Sequence, residues 1–250
     1  MSSAPYRLYY WPVLQGRGEF VRLILEEAGA EYVDVARLPK EEGGGIPAIL
    51  QMIRGERDGV RPLAPPILQD GDLVLSQTSN IALYLGRKHN LVPEEESLHY
   101  VANQLYLSLA DLVAEAHDTH HPMGKSLYYE DQVEAAKAYS ELFRTQRMPK
   151  FLGYFESILQ KNRASEGKFL VGSQLSYVDL AMFQVLAGLA YAFPRAFEAM
   201  QSDYPLLIAL RDHVVQRPHI AAYLASDRRI PFNEDGIFRQ YPELDSPENP

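Results

Sequence analysis

The sequence predicts an α/β layer followed by an all-helical bundle. A strand–helix–strand pattern fills the first 35 residues, composition changes at Asn90–Ser97, and from Tyr100 onward the apolar spacing is helical.

Tyr6 to Trp11 is a compact Tyr/Leu-rich run that reads as a first strand. Glu19 to Ala28 reads as a helix whose Phe20, Leu23, Ile24 and Glu27 share one face, and Gly29 closes it. Tyr32 to Val35 reads as the second strand. Residues 36–64, with Pro39, Gly43-Gly44-Gly45 and Pro47, read as a long loop holding one helix from Ala48 to Ile53. Pro66-Ile67-Leu68, a turn at Asp70-Gly71 and Leu73-Val74-Leu75 form a hairpin, after which Ser76 is placed to cap a helix running to about Lys88. Pro93 and three successive glutamates then mark a boundary. The expected divisions are residues 1–89, a helical domain over 98–230, and an irregular tail over 231–250 with several prolines. The helical domain holds about five helices: one from Tyr100 with Leu105, Leu109, Leu112 and Val113 on one face, then Val133–Phe143, Lys150–Leu159, Val178–Ala192 and Leu206–Val215.

Composition removes several classes of function. The chain has 250 residues and no cysteine, so disulfides, thiolate metal sites and cysteine nucleophiles are excluded, and any thiol chemistry must use a ligand's sulfur. A formal charge of −9, without a Lys/Arg cluster, argues against nucleic acid as a partner. No apolar run is long enough to span a bilayer, and Met1-Ser2-Ser3-Ala4-Pro5 lacks a basic-then-apolar leader. A cytoplasmic protein with no membrane partner is expected.

Three short pieces far apart in sequence are suited to hold one small peptide-like ligand against one phenol. Tyr10 at a strand end can donate its hydroxyl to an anion; Pro66 can expose a strand edge; Gln77-Thr78, opening a helix, can meet a carboxylate with unpaired N–H groups. Tyr9 points to the opposite face and is the second choice for the phenol. His117, His120 and His121, next to Asp118, carry spacing that can converge on one helix face, but Pro122 ends the helix and no further ligand pattern recurs, so no metal is expected. Ser176-x-x-Asp179 is a capping box with a folding role, and Arg22 is likewise assigned to folding.

These motifs in this order resemble the glutathione S-transferase superfamily, most closely its tyrosine-type classes such as sigma, pi and mu, over roughly Tyr6 to Arg229. Tyr10-Trp11-Pro12-Val13, then Gly16-Arg17 and a helix with Arg22, are similar to that family's first strand, loop and helix, with one extra loop residue. Pro66 falls on its cis-proline, Gln77-Thr78 on its Gln-Ser pair, and Ser176-Tyr177-Val178-Asp179 on its Ser-x-x-Asp box. The resemblance implies a thioredoxin-like N-terminal domain, a homodimer, glutathione as co-substrate and a small hydrophobic electrophile as its partner. It implies that Tyr10 is catalytic and that Trp11, Arg17, Pro65, Pro66, Gln77 and Thr78 hold glutathione, with Asp111 reaching across the dimer. Val13 and His117 would line the second-substrate pocket. Two departures stand out: Pro65 has no N–H where the family lends one to the ligand, and the family's loop Trp and Lys have no match beyond Lys40, Arg54 or Arg61. The implied reaction is attack of the thiolate on an electrophile, with peroxide reduction by the same thiolate. The alternatives are a non-catalytic glutathione-binding or structural protein, and a glutathione-dependent isomerase or ether-cleaving enzyme.

Overall fold

A computed structural model describes residues 4–55 and 59–245. The chain divides into two compact units, one of residues 1–91 with 217–231 and the other of 92–216 with 232–250.

The first unit is built on a four-stranded sheet, β1 (Tyr6–Tyr9), β2 (Tyr32–Asp34), β3 (Ile67–Asp70) and β4 (Leu73–Ser76), in the order β2-β1-β3-β4. β1 and β2 are parallel, joined through α1 (Gly18–Glu27), while β3 and β4 are antiparallel neighbours. α2 (Gly45–Arg54) covers one face, where Tyr9, Ile67, Val35, Ala36, Ile49 and Met52 bury a common apolar cluster. Leu8 and Leu68 alternate to the other face and are fully buried, and α1 packs there with α3 (Thr78–Lys88). Gly29 holds a left-handed φ of +60° just past α1, as a helix stop requires. The first strand is shorter than its Tyr/Leu run, ending at Tyr9, and Ser76 is the last residue of β4 instead of a cap; Gln77 occupies the cap position.

The same unit takes back the end of the helical stretch. α10 (Pro218–Leu224), which has no counterpart in the sequence reading, packs on α1. The reason is electrostatic: α1 buries Glu19, Arg22 and Glu27, and charges removed from water need partners. Arg217 pairs with Glu27, while Tyr223 and Arg229 both donate to Glu19.

The second unit is helical: α4 (Glu96–Asp118), α5 (Val133–Leu142), α6 (Met148–Lys161), α7 (Tyr177–Ala192), α8 (Pro194–Met200) and α9 (Pro205–Val215). α7 lies at its centre, buried along almost its whole length and in contact with α4, α8 and α9. The Ser176/Asp179 box forms as read: Asp179 accepts from the Ser176 N–H at 2.7 Å, the Ser176 hydroxyl at 2.7 Å and the Leu170 N–H at 2.8 Å. A π turn at Phe143–Arg147 joins α5 to α6, beside Pro149, which has no N–H to continue an α ladder. No single helix among the described residues is long and apolar enough to cross a membrane.

The proline-rich end of the chain is irregular in backbone yet seated on this unit. Phe232 stacks on Tyr191 at 4.9 Å, Tyr241 on Tyr129 at 3.9 Å, and Asp245 accepts from the Arg195 and Ala196 N–H groups opening α8. Phe238 lies against Gly188 so closely that a Cβ there would overlap its ring. Gly188→Ala is therefore expected to cost about 2 kcal/mol through overpacking and to unseat residues 232–245; thermal melting and limited proteolysis at Arg239 check both, and an unchanged cleavage rate would contradict the contact.

Candidate functional site

Sheet register gathers the three motifs at one edge. Tyr9 pairs with Ile67 and Ile67 with Ser76, so the next residues out, Tyr10, Pro66 and Gln77, stand side by side beyond three adjacent strands. Strands lie about 4.8 Å apart, which sets Tyr10 and Gln77 roughly 10 Å from each other. An extended tripeptide is also about 10 Å long.

Tyr10 is 5% exposed, packed into the turn that leads to α1. Its hydroxyl oxygen accepts the Arg17 N–H at 2.7 Å, while its own proton has no acceptor among the described residues. The phenol is thus polarised from behind and left with a donor to spend. Burial raises its pKa above the usual 10, against the opposing pull of Arg17 and Arg22, so at neutral pH it is a hydrogen-bond donor and not a base. Gly16, in the left-handed region at φ +46°, and Gly18 are pressed so tightly on the ring that a Cβ on either would overlap it. Tyr9 has no such freedom: its hydroxyl donates to Gln69 at 3.0 Å and accepts from Arg7 at 3.1 Å.

Gln77 holds φ +70° and ψ +116°, a conformation that costs a non-glycine residue about 1–3 kcal/mol and that clusters at functional sites. Its carbonyl starts α3 by accepting the Ile81 N–H, and Thr78 follows with a buried hydroxyl oxygen that has no partner among the described residues. A buried polar atom without a partner beside the open N–H groups of a helix start suits an incoming carboxylate. The Pro65–Pro66 peptide is cis, and Pro65, half-buried, offers a carbonyl only. Trp11 packs partly buried against the Tyr9 cluster, Arg17 is half-buried at the start of α1, and Val13 is exposed. Lys40, Arg54 and Arg61 are all exposed.

The remaining candidates belong to the helical unit. Asp111 is exposed on α4. His117, near the end of α4, meets His120 and His121 with ring centroids 4.8–5.2 Å apart, so the three histidines do converge, although only His117 is helical. His120 Nε2 donates to the Ile237 carbonyl at 2.9 Å and Gln132 donates to His121 Nδ1 at 3.1 Å. Burial pushes all three pKa values down, His120 to about 2, which keeps the rings neutral. Among the described residues no group of three or more His, Asp or Glu side chains is arranged to hold a metal.

Sequence reading missed the polar network behind Tyr10. Glu19 and Arg22, both wholly buried, join at 3.2 Å; Arg22 also reaches Asp34 at 2.8 Å and lies with its guanidinium carbon 5.9 Å from the Tyr10 ring centre. The available signal was Glu19 and Arg22 three apart on a helix otherwise apolar on that side, but their partners near residue 229 carry no period that a local pattern reveals.

Comparison with known proteins identifies the family. The family described as "Glutathione S-transferase, C-terminal domain" matches residues 117–227. The chain is 32% identical to glutathione S-transferase P 1 of Xenopus laevis over 228 residues, 90% of this chain and 93% of that one. It is 28% identical to a glutathione S-transferase of Plasmodium falciparum (isolate 3D7) over 223 residues, 88% of this chain and 94% of that one. The solved pi-class glutathione S-transferase of Onchocerca volvulus shares its fold with a TM-score of 0.66 at 23% identity, covering 88% of this chain and 91% of that one. The four-stranded layer with its cis-proline edge is thioredoxin-like, and this chain belongs to the glutathione S-transferase family.

Proposed function

We propose that the chain is a glutathione transferase in which the Tyr10 hydroxyl, keeping its proton, donates a hydrogen bond to the glutathione sulfur and thereby favours the thiolate. The single observation that carries this reading is the Tyr10 hydroxyl: backed by the Arg17 N–H at 2.7 Å, kept protonated by burial, and without an internal acceptor among the described residues. The thiolate attacks an electrophilic carbon, the carbon–sulfur bond forms as the leaving group departs with its electron pair, and the thiol proton has already gone to solvent. Peroxide reduction by the same thiolate is a secondary activity.

Glutathione is assigned to the sheet edge, its sulfur at Tyr10 and its γ-glutamyl carboxylate at Gln77 and Thr78. The Pro65 carbonyl accepts from the cysteinyl N–H, and the missing Pro65 N–H forfeits about 1 kcal/mol of affinity. Arg17 adds positive charge, Trp11 borders the glutathione site, Asp111 of a second copy meets the γ-glutamyl amine in a homodimer, and Val13 and His117 are assigned to the electrophile. The cellular role is detoxification in the cytoplasm.

Thr78→Val removes the hydroxyl at nearly constant volume. It is expected to raise the KM for glutathione about tenfold with little change in kcat, as loss of a hydrogen bond to a charged group does; an unchanged KM would take Thr78 out of the site. The function itself is tested with glutathione and an activated chloronitroarene, following thioether formation and chloride release together. Saturable glutathione binding without either product would replace the transferase reading by the non-catalytic one. A glutathione-dependent product that carries no sulfur would favour the isomerase.

A further inference from the structure

The turn that polarises Tyr10 is held from the far end of the chain. Gln15 Nε2 donates to the Ile230 carbonyl at 2.6 Å, and the Gln15 carbonyl receives the Glu19 N–H at 3.0 Å and Arg22 Nη1 at 3.4 Å. Glu19, with no exposed surface, is the hub: one carboxylate oxygen accepts the Tyr223 hydroxyl at 2.7 Å and Arg229 Nη1, the other accepts Arg22 Nη1 at 3.2 Å. These ties therefore flank, at residues 15 and 19, the Arg17 N–H that sits on the Tyr10 oxygen at 2.7 Å. Farther along α1, Arg217 and His219 fasten Glu27 and Arg228 fastens Glu26.

We infer that Arg229 and Glu19 are positioning residues for Tyr10, through which the returning segment 217–231 clamps the turn that aims the Arg17 N–H at the phenol. A hydrogen bond weakens steeply as its angle opens, so a small drift of this turn costs Tyr10 its polarisation without unfolding the sheet. Loss of Arg229 also leaves a buried carboxylate short of a partner beside Arg22, whose guanidinium carbon lies 5.9 Å from the phenol ring centre, and frees Arg22 to shift. Tyr10 and Arg229 are 219 positions apart, and this coupling gives the C-terminal return of the chain a part in the chemistry beyond packing. The inference rests on the proposed role of Tyr10.

The test is the thiol pKa of bound glutathione, read from thiolate absorbance, in the wild-type chain and in Arg229→Met, Tyr223→Phe, Tyr10→Phe and Tyr10→Phe/Arg229→Met. Arg229→Met is expected to raise that pKa by about half to one unit and to lower kcat/KM about two- to fivefold at pH 6.5, with less than about a twofold loss at pH 9. Arg229→Lys recovers part of the shift, Tyr223→Phe gives a smaller shift in the same direction, and the double variant titrates like Tyr10→Phe alone. A lowered melting temperature with an unmoved pH profile in Arg229→Met overturns the inference; if that variant does not fold, an unmoved profile in Tyr223→Phe does so. Where Tyr10→Phe shifts the thiol and the Arg229 variants do not, the clamp fails and the Tyr10 reading stands. Where Tyr10→Phe itself leaves the thiol unmoved, both fall.

Discussion

Tyr10→Phe is expected to cut kcat/KM about 50-fold at pH 6.5 and less than about twofold at pH 9. The argument is ionisation. A free thiol titrates near 8.5, and a phenol that lowers this by about two units supplies about 2.7 kcal/mol of preference for the anion. That is the range of a hydrogen bond to a charged group. At pH 6.5 the wild-type site then holds about half its glutathione as thiolate and the variant about one part in a hundred; at pH 9 both are mostly ionised. The change also costs stability, about 1 kcal/mol, because the Arg17 N–H loses the oxygen it now meets at 2.7 Å. A uniform loss across the pH range would mean that Tyr10 shapes the site without ionising the sulfur.

Acidification from pH 7 to 4 is expected to strip several kcal/mol from the helical unit, through His117, His120 and His121. Each has a folded pKa below its ordinary 6.5, so the neutral ring is favoured by folding, and that stability is complete above 6.5 and lost as pH falls beneath it. His120 is the firmest case. With its pKa near 2 it forfeits about 3 kcal/mol by pH 4, because the unfolded chain binds a proton that the fold refuses. The cause is local: burial disfavours the charged ring, Nδ1 is buried without a partner, and Arg239, His117 and His121 repel a charge there, against the Ile237 carbonyl, which favours one. Lys125 opposes charging of its neighbours as Asp118 favours it. Asp179 runs the other way: burial lifts it to about 6, so its protonation returns about 2 kcal/mol over the same span. His117 and His121 add to the His120 side, so the balance is loss. Chemical denaturation at pH 7, 5.5 and 4 checks the sign, and His120→Gln, whose amide can still reach Ile237, flattens the slope. Stability that rises toward pH 4 would contradict this reading of the cluster.

The parts of the fold legible in the sequence are those whose cause is local. Ser176 and Asp179 satisfy each other within one helical turn, and the spacing alone announces it. The hairpin of β3 and β4 follows from Asp70-Gly71, whose glycine takes the left-handed φ of +58°. Tyr10, Pro66 and Gln77 could each be named because strand ends, prolines and helix starts leave marks in sequence; that they share an edge is a matter of register, which no single segment carries. α8 and α10 span seven residues each, too short to display a helical period, and their marks are Pro194 and Pro218 at the first turn. Ser76 has the chemistry of a cap, yet β4 claims it for pairing with Ile67. Hardest to see were partners more than 100 residues apart: Glu19 with Arg229, His120 with Ile237, Ser140 with Leu244. Buried charges and rings choose such partners by where the chain returns, and that is decided by the whole fold.

The most direct test of the central claim is a spectrophotometric titration of glutathione bound to the wild-type chain and to Tyr10→Phe, following thiolate absorbance from pH 5 to 10. The bound thiol is expected to ionise near pH 6.5 in the wild-type chain, and about two units higher once the Tyr10 hydroxyl is gone. Superimposable curves would contradict the assignment of Tyr10 as the donor to sulfur.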